Sequence, residues 1–278
     1  VKTHPHRWLS RGAQSDAHAA YLKKIRSQEI AVTVTRLAIL LAFVVGWEWG
    51  ANAGWLDPFL FSSPSRISET FIQMTIQAGL LTDIGITLSE TVLGFILGTA
   101  AGTALATLIW YSPFLSRVLD PYLVVLNSMP KVALGPLFIV TIGSGFGSIL
   151  AMAVAITIII TTLVMYSSFQ SVGSEYRQLA RSFGATRRQI FTRIIFPASI
   201  PDLIAALKVN VGLAWVGVIV GEFLVAKAGL GYLIIYGFQV FNLTLVMMSL
   251  VVVALTATAM YKAVSHLEKR LLRHRQLD

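Results

Sequence analysis

Three runs without a single ionisable side chain decide what this chain can become. No Asp, Glu, Lys, Arg or His occurs in residues 91–116, 132–174 or 228–261. A helix needs about 20 apolar residues to cross a bilayer's hydrocarbon. The runs supply four crossings, because the middle one is broken by GSGFGS at residues 143–148. Only 13% of the 278 residues are charged, against about 25% in soluble domains. A soluble domain with buried core helices is therefore excluded.

The chain reads as an all-α membrane protein with six spans, at about residues 32–55, 84–110, 119–142, 148–169, 201–225 and 240–264. Pro130 and Pro136 interrupt the third. Trp47, Trp49 and Trp55 gather at the far end of the first, as an interfacial aromatic belt does. Residues 16–29 set Tyr21, Leu22 and Ile25 against Lys23, Lys24 and Arg26, the pattern of an amphipathic helix on the membrane surface. The expected organisation is a tail at 1–31, a six-span domain at 32–264 and a tail at 265–278.

The net charge of +9 invites a nucleic-acid reading. Position argues otherwise. Eighteen of the 22 Lys and Arg fall in the N-terminal tail and the opening of the first span, the second connection, the loop at 174–201 or the C-terminal end. Arg66 and Lys227 fall on the other side, and Lys131 and Lys208 within spans. This is the positive-inside bias, and it places both termini in the cytoplasm without any nucleic acid. Cysteine is absent, which excludes disulfides. The first 30 residues lack the apolar core of a cleavable signal, so the first span is expected to act as an uncleaved insertion signal.

The loop at 174–201 reads SEYRQLARSFGATRRQIFTRIIFPASIP and carries five arginines between two spans. Its local chemistry predicts two helices. Ser174 is placed to cap the first, with Glu175 in its first turn, and Gly184 suits the left-handed residue that ends it. Thr186 and Gln189 form a capping box for the second. Pro197 and Pro201 are expected to end that helix and open the next span.

The stretch QLARSFGATRRQIFTRIIFP resembles the cytoplasmic "EAA" loop of permease subunits of ATP-binding-cassette importers. That pattern is Glu-Ala-Ala, three residues, Gly, nine residues, Ile, one residue, Leu-Pro. Gln178, Leu179 and Ala180 take the first places, Gly184 the glycine, and Ile194, Phe196 and Pro197 the close. Gln178, Leu179 and Phe196 depart in residue type. GEFLVAKAGLGYLI at 221–234 and MPKVALGPLFIVTIGSG at 129–145 are similar to the nitrate, sulfonate, taurine and bicarbonate branch.

The resemblance implies a type I importer permease fold and a homodimer in a bacterial cell membrane. It also implies two cytoplasmic ATPase subunits that bind ATP and Mg, and an extracytoplasmic substrate-binding protein. The substrate expected is a small anion or organic solute of the branch's kind. The loop would dock on the ATPase and switch the spans between inward- and outward-facing states. The residues implied are Glu175, Gln178, Leu179, Ala180, Arg181, Phe183, Gly184, Arg187, Arg188, Ile190, Phe191, Ile194 and Pro197. Leu179, Phe183, Ile190 and Phe191 are expected to be apolar anchors and the arginines to steer docking. With Gln178 uncharged, the family's acidic contact is expected to be absent or replaced by Glu175.

No catalytic site is expected in this chain. The only Lys followed by Ser or Thr is Lys2, with no glycine before it, so a phosphate-cradling P-loop is missing. All five histidines lie in the tails, which leaves no intramembrane nucleophile–base pair or His-bound metal. Ionisable residues within spans are costly and mark function. Lys131, beside the helix-breaking Pro130, is a candidate for attracting an anion. Pairing with Glu90 or a backbone carbonyl is its structural alternative. Lys208 is expected to snorkel, and Glu222 to hold a Gly-rich outer loop or touch substrate. Asn127, Ser128, Asn210 and Trp215 complete the candidate passage, with a helix-bridging role open for Asn210. Gly94, Gly98 and Gly102 form a small face for close helix packing. Two further readings remain: an ion-gradient transporter using membrane carboxylates, and a scaffold whose basic loop binds lipid headgroups.

Overall fold

The structure is a computed structural model that describes residues 16–272. The expectations on His4, His6, His274 and the rest of residues 1–15 and 273–278 lie outside them. All regular elements among the described residues are helical, and the chain divides into two compact units, residues 1–66 and 67–278.

In the first unit, α1 (Asp16–Asn52) joins the amphipathic stretch and the first span into one unbroken rod of 37 residues. Residues 30–45 are exposed around its whole circumference, as suits a helix solvated by lipid. Its C-terminal end turns back on itself. Trp55 and Leu56 donate their amides to the Gly50 carbonyl at 3.0 Å each. The Trp55 ring meets Trp49 edge-on at 4.9 Å. Glu48 accepts from Ser65 N at 3.0 Å and Ser65 Oγ at 2.8 Å. Asp57 caps the short α2 (Pro58–Phe61) through Phe59 N. Then α3 (Pro64–Gln77) begins.

The second unit is built around α4 (Leu80–Tyr111), α7 (Phe146–Ser171), α11 (Ile200–Val225) and α13 (Leu243–Leu272). All four are long and apolar enough to span a membrane, as is α1. α7 is the central strut, with α4 and α11 packed along it. Glycine sets the approach. A Cβ on Gly98 would lie 1.7 Å from Thr157 Oγ1, and one on Gly217 would lie 2.7 Å from Ala153 Cα. Thr162 Oγ1 donates to Gly102 O at 3.2 Å, a bond that only close backbones permit. The small face at Gly94, Gly98 and Gly102 is thus used within one chain.

The third crossing is not one helix. α5 (Pro113–Ser128) ends before Pro130, which has no N–H to continue the ladder. A 3₁₀ turn at Lys131–Leu134 follows, then α6 (Gly135–Ile142), at 94° to α5. Gly143 and Gly145 at φ +97° and +128° reverse the chain into α7.

Between α7 and α11 lie α8 (Ser174–Ser182), α9 (Arg187–Ile190), a π-helical turn at Phe191–Ile195 and α10 (Phe196–Ala198). The Gly-rich outer loop expected after Glu222 is instead a buried helix, α12 (Leu230–Gln239), packed on α13 and α11.

Candidate functional site

The loop between α7 and α11 is held by short-range chemistry at every step. α8 starts on Gly173 rather than on a Ser174 cap: Ser174 is its first helical residue, and no side chain caps it. Glu175 sits in the first turn, where the helix dipole favours a carboxylate. Gly184 at φ +76° ends the helix. Gly184 N donates to Arg181 O at 2.9 Å and Ala185 N to Ala180 O at 3.0 Å. These two bonds make a Schellman motif. The capping box follows at once: Gln189 N donates to Thr186 Oγ1 at 3.3 Å and Thr186 N to Gln189 Oε1 at 2.8 Å.

The second half of the loop belongs to the protein's own core. Ile190 and Phe191 are buried with Ile109, Met165, Tyr166 and Phe169 from α4 and α7. The Phe191 ring lies 5.0 Å from Trp110, 5.2 Å from Tyr111 and 5.3 Å from Phe169. Burial removes Ile190 and Phe191 from the docking face proposed for them. Ile194 is half-buried. Pro197 does not stop the helix either. It follows the π turn, in which Phe196 N reaches Phe191 O, and the helical run ends at Ser199.

Arg187 is a clamp. Its guanidinium lies over the rings of Trp110 and Tyr111, 5.4 Å and 6.0 Å from their centres, and donates to Trp110 O at 3.2 Å. Cation–π contact and charge-assisted bonding together fix the loop to the end of α4. Arg188 and Arg193 are exposed.

α8 has two faces. Tyr176, Leu179 and Phe183 are 62%, 58% and 83% exposed, and Glu175 and Gln178 stand beside them. Arg177 and Arg181 lie on the other side, toward the ends of the spans, and Ala180 is half-buried. Large apolar groups held in water on a rigid helix are what a docking surface presents.

The candidate passage residues fall into two groups. Asn127 and Ser128 are exposed at the break between α5 and α6, and Lys131 Nζ donates to Asn127 O at 2.7 Å. Lys131 therefore caps the end of α5, the structural alternative for it. Asn210, Trp215 and Glu222 are buried in α11. Asn210 Nδ2 donates to Thr99 Oγ1 at 3.0 Å and Thr161 Oγ1 at 2.6 Å, which ties α11 to α4 and α7. Lys208 pairs with Glu268 of α13 at 2.6 Å, with both side chains partly exposed.

Glu222 holds the end of the bundle opposite the loop at 174–201. Its carboxyl accepts from Thr87 Oγ1 at 2.7 Å and from Gly231 N. Thr87 Oγ1 in turn accepts from Leu230 N at 2.8 Å, and Asp83 from Gly229 N at 2.7 Å. The first amides of α12 are thus satisfied by α4 and α11. The sequence signal for this latch was Gly-Leu-Gly, where a Cβ on Gly229 or Gly231 would strike the Glu222 carboxyl.

Residues 90–273 match the family described as binding-protein-dependent transport system inner membrane component. The chain belongs to this family. It is 32% identical over 192 residues to the formylaminopyrimidine transport permease ThiX of Halalkalibacterium halodurans, covering 69% of this chain and 76% of the relative. It is 25% identical to a putative aliphatic sulfonates transport permease, SsuC of Bacillus subtilis, covering 86% and 85%. The fold is that of type I importer permeases. A bacterial transporter for the acidic polysaccharide alginate superposes with a TM-score of 0.61 at 15% identity, over 90% of this chain and 99% of that one. The MetNI methionine transporter does so at 0.58 and 18%, over 68% and 94%. The chain is thus a multi-pass importer permease of the sulfonate-type branch, which decides against the gradient-driven and scaffold readings.

Proposed function

We propose that this permease forms the passage of an ATP-driven importer in a bacterial cell membrane, as a homodimer with both termini in the cytoplasm. Two cytoplasmic ATPase subunits would bind ATP and Mg and seat α8, and an extracytoplasmic binding protein would deliver substrate. The observation that carries this reading is the two-sided loop. Its outward face holds Tyr176, Leu179 and Phe183 in water, while Arg187 and Phe191 weld its inward face to α4 and α7. Movement of a docked α8 would then reach the spans without slack. The cargo is a small organic solute, an aliphatic sulfonate foremost; relatives are named for sulfonates, formylaminopyrimidine and riboflavin.

The test is reconstitution with the ATPase and binding protein in liposomes. Leu179→Asp with Phe183→Asp should cut ATP-driven uptake at least about tenfold, the effect of losing roughly 1.4 kcal/mol of docking, with insertion unchanged. Wild-type uptake by that variant would refute the docking face.

A further inference from the structure

A cavity of about 350 Å³ lies under the loop, on the side of α8 opposite its exposed apolar face. Its walls include Arg177 and Arg181 of α8, Arg187 of α9, Trp110 at the end of α4, and Tyr166 and Gln170 near the end of α7. The volume falls at the lower end of the roughly 300–1,000 Å³ typical of ligand clefts.

The charge balance of this cavity is one-sided. It is lined by three guanidinium groups and no carboxylate. Arg187 is held by Trp110, but among the described residues the side chains of Arg177 and Arg181 have no hydrogen bond or ion pair. They stand four residues apart, on one face of a helix. Their neighbours are already organised: Tyr166 Oη is bonded to both Ser116 Oγ and Gln170 Nε2. Planar, forked guanidinium donors converging on one space fit a phosphate.

Its level in the membrane selects the source of that phosphate. Trp110 closes a long apolar span, the position of an aromatic where hydrocarbon meets headgroups. Beside the lining residue Pro113, Phe114 is 77% exposed, an apolar surface for an acyl chain. Basic pockets between spans on the cytoplasmic side take anionic headgroups. We propose that this cavity binds the phosphate of an anionic phospholipid of the inner leaflet, seating a lipid between α8 and the ends of α4, α5 and α7.

The test uses the full chain purified in neutral detergent with added phosphatidylglycerol or phosphatidylcholine. Native mass spectra should retain phosphatidylglycerol over phosphatidylcholine by about tenfold, a difference of roughly 1.4 kcal/mol. Arg177→Gln with Arg181→Gln should bring the ratio near one. Arg188→Gln with Arg193→Gln removes the same charge from exposed positions outside the cavity and should leave the preference intact. Equal losses in the two pairs, or no preference in the native chain, would overturn the proposal. Displacement of phosphatidylglycerol by millimolar inorganic phosphate would assign the cavity to a soluble phosphate and overturn the lipid assignment. On the native chain alone, phosphatidylglycerol should slow hydrogen exchange at residues 174–190; no slowing there would also overturn it.

Discussion

Gly98 shows how much a single hydrogen atom decides in this bundle. Any side chain there would have to pass through Thr157, whose Oγ1 would lie 1.7 Å from the new Cβ. Thr157 cannot swing away freely, because Oγ1 donates to Ala153 O at 2.8 Å. Gly98→Ala should therefore lower stability by about 1–3 kcal/mol, the usual penalty of overpacking. Adding Thr157→Gly should recover most of it. Melting in detergent of the single and double variants measures both, and additive losses would contradict the contact. The same scale explains which polar residues were legible. Asn210 takes the bridging role left open for it beside the passage role, because an amide in a span must find partners. Lys131 was harder: its neighbour Pro130 marked a break, but the sequence does not say whether the ammonium meets a carbonyl or a substrate.

Among the elements, the loop was the most readable from sequence. The glycine and the capping box are local signals, and the structure has both, at Gly184 and at Thr186 with Gln189. The choice of face was not readable. Leu179, Phe183, Ile190 and Phe191 look alike in sequence. Only the rings of Trp110, Tyr111 and Phe169, brought from distant positions, pull Phe191 inward. Gly184→Val should cost about 1–2 kcal/mol for a side chain in the left-handed region and should reduce uptake. Gly184→Asn, tolerated at such sites, should keep most of it. Trp110→Ala removes both the ring under Arg187 and a wall of the Phe191 site. The expected loss is about 3 kcal/mol, at the low end for a large aromatic. Faster hydrogen exchange at residues 187–196 than at 80–105 would locate the damage; uniform change would not fit a local clamp.

At the scale of the molecule, five of the spans were legible because apolar length leaves no other solution. The α5–α6 corner and α12 were not. A proline announces an interruption but not a 94° bend, and ten apolar residues with glycines look like a loop until Glu222 is seen to accept their amides. The corner leaves Tyr122, Val124, Val125, Leu137 and Val140 exposed, with Val140 at 83%. In the proposed homodimer this surface is expected to face the second copy across the passage. With no native cysteine, Val140→Cys can report that pairing without background. Oxidation in membranes should give a covalent dimer, while Leu108→Cys, exposed on α4, should give none. Equal yields from the two would place the interface elsewhere.

The latch at Glu222 also has a history in time. Thr87 enters the membrane early, and Glu222 follows 135 residues later in the chain. Until α11 and α12 are made, Thr87 therefore lacks the partners it has in the finished fold. When α11 arrives it finds the Thr87 hydroxyl in place, and the first amides of α12 emerge within ten residues to complete the set. The latch is thus complete only when the last third of the chain is in place.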